Sequence, residues 1–192
     1  PHIGVEILGQ SRIPLFQLHR VDPAVPFADQ LGALVELREQ GKIEHIGLSE
    51  VGVEQIEAAR AITPIVSVQN MYNLVNRGHD PVLAHCEREG IVFIPWVPLG
   101  SGSLVGVDGP LSAVASSLRV SPSQLALAWL LQRSPVMAPI PGTRSVAHLE
   151  QNVRAAEVRL IDSDVEAIED ATAGRALGKG LRKVKGMLRR SR

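Results

Sequence analysis

The sequence predicts a parallel α/β fold, and three observations carry that prediction. Five short runs, Ile13–His19, Ile43–Ser49, Ile65–Gln69, Ile91–Trp96 and Val136–Ile140, are rich in Ile, Val and Leu, as strands covered on both faces of a parallel sheet are. Stretches of helical periodicity separate them, and strands alternating with helices imply parallel pairing. Polar residues gather where the runs end: His19, Ser49, Gln69, Trp96 with its following loop, and Thr143. A doubly wound sheet and a barrel both satisfy the alternation. The strand-end residues favour the barrel, which builds its sites from several C-terminal strand ends. The first run is also not followed by the GxGxxG of a doubly wound dinucleotide-binding domain.

The helices follow in order. Phe27–Gln40 sets Leu31, Leu34, Val35 and Leu37 on one stripe and stops at Gly41, a residue suited to the left-handed position after a helix. Val51–Ile62 repeats Ile56, Ala59 and Ile62 before Pro64, and His79–Glu89 ends at Gly90. Ser121–Gln132 opens with Ser121 as N-cap and Pro122 at the first helical position, a strong start signal. Ser145–Ala156 and Asp162–Ala171 complete the set, and the Pro/Gly-rich stretch Pro98–Pro110 reads as a long loop after a strand. A closed barrel takes eight strands. The expectation is therefore a partial (β/α)8 barrel over residues 1–173, repeats four to eight, with three repeats missing before Pro1.

Composition narrows the function classes. With 45% apolar and 21% charged residues the chain can bury a core. Basic and acidic residues balance at 20 each, but no acid follows Asp170 and eight basic residues crowd 174–192. That segment reads as a disordered basic tail, and it lacks the interleaved aromatics of a nucleic-acid binder. The single cysteine, Cys86, excludes an intrachain disulfide and fits a reducing, cytoplasmic setting. No apolar run approaches a membrane span, and the six histidines show no metal-ligand spacing.

Six stretches, in order, carry a resemblance. They are Leu15-Phe16-Gln17-Leu18-His19-Arg20-Val21-Asp22, Gly47-Leu48-Ser49-Glu50, Ser67-Val68-Gln69-Asn70-Met71-Tyr72-Asn73, Pro95-Trp96-Val97-Pro98-Leu99-Gly100-Ser101-Gly102, Leu125-Ala126-Leu127-Ala128-Trp129-Leu130-Leu131, and Ile140-Pro141-Gly142-Thr143-Arg144-Ser145 through Glu150-Gln151-Asn152. Together they resemble the fourth to eighth repeats of the aldo-keto reductase superfamily, closest to its bacterial general members. The resemblance implies reversible, NADP(H)-linked reduction of an aldehyde or ketone, with NAD(H) as the second cofactor such a site could take. The family's catalytic set is a Tyr proton donor, a Lys and an Asp that tune it, and a His that orients the carbonyl. His19 occupies the His position. The other three should precede it, yet Tyr72 is the only tyrosine, no Lys precedes Lys42 and no Asp precedes Asp22. The expectation is a chain inactive by itself that keeps the cofactor half. The rival is a non-catalytic nucleotide-binding or interaction protein derived from the family.

The same resemblance distributes the cofactor contacts. Ser49 and Gln69 would hold the nicotinamide carboxamide, which needs both a donor and an acceptor, and Glu50 departs from the Asn common beside that Ser. Trp96 would stack on the nicotinamide ring. Leu99, Gly100, Ser101 and Gly102 would fold over the pyrophosphate, where glycines let backbone N–H groups approach the oxygens. Gly142, Thr143, Arg144 and Ser145 lead into the last helix and would cradle a phosphate at its N-terminus. Gly142 and His148 stand where the family often has Lys and Arg against the 2′-phosphate, so Arg144 is the candidate replacement charge. Gln151 and Asn152 match adenine-reading positions. An open barrel side would also leave apolar strand edges uncovered, so self-association through that side is expected.

Overall fold

A computed structural model describes residues 9–102, 104–106 and 108–173, with the side chain of Ser101 excepted. The basic segment 174–192 lies outside the described residues. The chain divides into two compact lobes. Among the described residues, one comprises 9–70, 79–94 and 136–138; the other comprises 71–78, 95–135 and 139–173.

The first lobe is organised by a sheet of strands β1 (Ile13–Leu18), β2 (Ile43–Ser49), β3 (Ile65–Met71) and β4 (Val92–Trp96), in the order β1-β2-β3-β4. β1 and β3 both run parallel to β2, with Leu18 opposite Leu48 and Ser49 opposite Gln69. Helices α1 (Phe27–Glu39), α2 (Val53–Arg60) and α3 (Asp80–Glu89) connect them. β2 is flanked on both sides, and its Ile43, Ile46 and Leu48 are buried, as are Leu31 of α1 and Ile56 of α2. Among the described residues β1 has one neighbour only, and its Leu15 is 38% exposed. Gly41 adopts φ +69° after α1 and Gly90 φ +65° after α3, the left-handed conformation that glycine tolerates without a Cβ clash. Arg60 joins α2 to α3 by pairing with Glu57 at 2.6 Å and Glu89 at 2.7 Å. Cys86 of α3 is fully buried, and burial pushes its thiol up to about 12.

The second lobe is built on α5 (Pro122–Arg133), preceded by α4 (Ser112–Ser117) and followed by α6 (Val146–Arg154), a 3-10 turn at Ala155–Glu157, and α7, residues 162–173. α5 starts as its sequence requires. Ser121 Oγ accepts the Gln124 N–H at 3.2 Å while the Gln124 side chain accepts the Ser121 N–H at 3.0 Å, a reciprocal cap. Leu125 to Leu130 are all buried. Tyr72 is fully buried and stacks on Trp129 at 6.3 Å, and the Arg77 guanidinium sits 4.5 Å from the Trp129 ring centre. The Tyr72 hydroxyl accepts from Arg133 Nε at 3.3 Å, so the chain's one tyrosine serves the interior of this lobe.

The structure departs from the sequence expectations at several places. Val136–Ile140 is not a regular strand: it forms an isolated parallel bridge, Met137 against Phe93, closed by Phe93 N–H to Val136 O and Ala138 N–H to Phe93 O, both 2.8 Å. Pro135, Pro139 and Pro141 have no N–H to extend that ladder. The second helix is shorter than Val51–Ile62, and Ile62 ends 45% exposed. α4 falls in a stretch to which no element was assigned. Among the described residues no helix is long and apolar enough to cross a membrane.

Candidate cofactor site

In the first lobe three of the expected residues come together by register alone. β1, β2 and β3 are adjacent and parallel, so their C-terminal ends fall on one edge, carrying His19, Ser49 and Gln69. His19 follows the last residue of β1 and is exposed, Gln69 is half-buried, and Ser49 is 1% exposed. The Ser49 hydroxyl donates to the Gln69 carbonyl at 2.9 Å and accepts from Arg20 Nη1 at 3.3 Å. Its proton is thereby spent, and a hydroxyl oxygen with one remaining lone pair meets a ligand as an acceptor. Arg20 also donates to the His19 carbonyl at 3.1 Å, which links the β1 exit to Ser49. Below this edge lies a polar layer in which Gln17 Nε2 donates to Ser67 Oγ at 3.0 Å. Gly47 faces that pair, and a Cβ there would collide with Ser67 Oγ and lie 3.1 Å from the Ser67 carbonyl oxygen.

The second lobe carries the remaining residues. Trp96 is half-buried, and the chain after it turns sharply, with positive φ at Val97, Gly100 and Gly102. Gly100–Gly102 forms a 3-10 turn. A β-branched residue at φ +55°, as Val97 is, is a strained conformation that surrounding contacts must hold. Asn73 supplies one such contact by donating to the Val97 carbonyl at 3.0 Å. Leu99, Gly102 and Gly142 line a single cavity of about 330 Å³ together with Val97, Pro98, Val105 and Pro141. Beyond it, Thr143 Oγ1 accepts the Ser145 N–H at 3.1 Å, and Ser145 caps α6 by accepting the His148 N–H at 3.4 Å. Thr143, Arg144, His148 and Gln151 are exposed, and Asn152 is half-buried.

Among the described residues three non-glycine residues have positive φ: Glu50, Val97 and Arg119. Two of them directly follow a residue assigned to the nicotinamide, Ser49 and Trp96. Sequence reasoning missed the groups that hold these exits, Arg20, Asn70 and Asn73. The stretches containing them stood out, but nothing in the residue order said which polar side chain turns inward.

Residues 4–173 match the model of the Aldo/keto reductase family. The chain belongs to that family. An uncharacterized oxidoreductase of Schizosaccharomyces pombe is 54% identical over 153 residues, 80% of this chain and 50% of the relative. The pyridoxine 4-dehydrogenase of Escherichia coli is 44% identical over 139 residues, 72% of this chain and 48% of the relative. A solved thermostable aldo-keto reductase in complex with the inhibitor epalrestat superimposes with a TM-score of 0.79 at 27% identity, covering 87% of this chain and 62% of that one. This aldo-keto reductase chain thus spans about half the length of the curated relatives it matches. It is an oxidoreductase-family chain, and its structural neighbours are barrels built of parallel strands.

Proposed function

We propose that this chain holds NADP(H) and orients a carbonyl substrate for reversible reduction, with the proton-donating Tyr, Lys and Asp of the family pattern not among its residues. The observation that carries the proposal is the 330 Å³ cavity shared by Leu99, Gly102 and Gly142, residues 40 positions apart in sequence that the family pattern assigns to the cofactor phosphates. A reduced nicotinamide, when bound, supplies the hydride. His19 donates an N–H to the substrate oxygen, where negative charge builds as the carbonyl is reduced. Ser49 accepts from the carboxamide NH₂ while the Gln69 side chain donates to its oxygen, which fixes the face presented. Trp96 offers its ring surface. Gly100, Gly102 and the segment from Gly142 to Ser145 would meet the phosphates through backbone N–H groups, Arg144 and His148 would serve the 2′-phosphate, and Gln151 and Asn152 the adenine. The name of the Escherichia coli relative makes pyridoxine a first alcohol to test alongside a generic aldehyde such as nitrobenzaldehyde.

Calorimetric titration with NADP(H) and NAD(H) tests the cofactor assignment. NADP(H) binds more tightly, by a margin that shrinks on Arg144→Ala; equal affinities for the two nucleotides, or no effect of the substitution, would overturn it. Turnover needs the proton donor, and without it the rate falls by on the order of 10² to 10⁴. Steady aldehyde reduction by the chain alone, lost on His19→Ala, would favour a different acid. The β1 edge and the half-exposed Leu15 also support self-association, which sedimentation reads as a concentration-dependent mass.

A further inference from the structure

The exit of β2 is held by a side chain that the cofactor reading leaves unused. After Ser49 the backbone passes through Glu50 at φ +56° and then Val51, which is 1% exposed. The Glu50 N–H donates to the Gln69 carbonyl at 3.0 Å, the same oxygen that takes the Ser49 hydroxyl. Asn70, 0% exposed, reaches across from β3 and grips Val51 on both sides: its Oδ1 accepts the Val51 N–H at 3.2 Å and its Nδ2 donates to the Val51 carbonyl at 2.8 Å. The amide cannot be turned over, because its oxygen would then face the Val51 carbonyl oxygen. The same Nδ2 lies 3.0 Å from His79 Nδ1. An amide nitrogen can only donate, so His79 Nδ1 accepts, and in the neutral ring the proton resides on Nε2. That Nε2 is 3.9 Å from Glu50 Oε2.

We infer that Asn70 is a positioning residue for the nicotinamide end of the site: by bracketing Val51 and fixing the His79 tautomer, it holds the strained β2 exit from which Ser49 is presented. The inference rests on the reading of Ser49 as a carboxamide contact. A left-handed glutamate relaxes toward ordinary backbone unless its neighbours are pinned, and here the pins are the Gln69 carbonyl before it and the Asn70 amide after it. Asn70 donates both of its amide protons and accepts through its oxygen, so no isosteric residue replaces it. Aspartate keeps the contact to the Val51 N–H, sets its second oxygen against the Val51 carbonyl, and demands a proton on His79 Nδ1.

The test combines ¹⁵N NMR of the His79 ring with NADP(H) titration of the whole chain. In the wild-type protein the neutral ring carries its proton on Nε2. In Asn70→Asp the proton appears on Nδ1 and NADP(H) affinity falls by about tenfold, the worth of one well-formed hydrogen bond. His79→Gln, whose oxygen can accept from Asn70 and whose NH₂ can donate toward Glu50, retains affinity within about threefold, whereas His79→Leu loses as much as Asn70→Asp. Should Asn70→Asp not fold, the His79→Gln and His79→Leu pair decides by itself. A wild-type ring protonated on Nδ1, or equal affinities in His79→Gln and His79→Leu, overturns the inference. If the wild-type protein binds no nicotinamide nucleotide, the site reading fails, while the ring tautomer still decides whether the Asn70 tie exists.

Discussion

The strand ends of the first lobe and the 141–154 segment of the second are made in opposite ways. At the β2 exit the Ser49 hydroxyl and the Asn70 amide are buried and already bonded, the first to the Gln69 carbonyl and the exposed Arg20, the second to Val51. From Gly142 to Arg154 no helix residue is buried, and Val146, Leu149 and Val153 are 73%, 52% and 67% exposed. A buried polar network costs stability unless every member is satisfied, and once satisfied it presents a fixed geometry that binding need not order. An exposed helix start carries no such constraint. It offers free N–H groups and leaves ordering to be completed when an anion arrives. The first segment is fixed by its own bonds, and the second is not.

The largest expected effect breaks the rigid side. Gly47→Ala places a Cβ against Ser67 Oγ and the Ser67 carbonyl in a layer with no room, and overpacking of this kind costs about 1–3 kcal/mol. Urea denaturation should show that loss, and a neutral result would mean the strand edge yields easily. On the exposed side, Ser145→Ala removes the α6 cap at a cost of about 1 kcal/mol. NADP(H) at saturation should then raise the thermal midpoint less than it does in the wild type. Leu149→Ser should change stability by no more than about 0.5 kcal/mol, as an exposed substitution does. A larger loss by the same denaturation measurement would show that the α6 face is covered in solution.

The smallest effect concerns pH. The Arg60 hydrogen bond holds the Glu57 carboxyl below its ordinary range, against the opposing effect of desolvation. A carboxylate lowered on folding adds stability above its unfolded pKa and loses it as pH falls through the folded one. The thermal midpoint of the wild type should therefore exceed that of Glu57→Gln at neutral pH, and the gap should close below about pH 4. The pair is exposed, so 1 M salt should narrow the gap as well. A gap unchanged by either acid or salt would assign the effect to packing.

Four of the five strands were legible from their Ile/Val/Leu runs; burial on both faces writes such a run most clearly in β2, which begins and ends where the run does, at Ile43 and Ser49. Val136–Ile140 looked the same by composition, but its flanking prolines restrict pairing to a bridge, a backbone property that hydrophobicity does not record. The strand-end residues were legible too, since parallel register brings Ser49 and Gln69 side by side. What could not be read were contacts made across the sheet: Asn70 and Asn73 stand three residues apart in one motif, yet one grips Val51 and the other Val97. Which way each turns depends on the pleat and on the loop it meets.

The buried thiol of Cys86 has a practical consequence. Burial raises its pKa to about 12, so the thiolate is scarce at pH 8, and it is the thiolate that reacts. Alkylating reagents in solution therefore meet this side chain when α3 swings away from its neighbours, and in that fluctuation the group regains ordinary reactivity. The chain contains no other cysteine, so mass-spectrometric labelling at this one atom acts as a clock. Its rate counts the openings of a helix whose N-terminus begins beside His79.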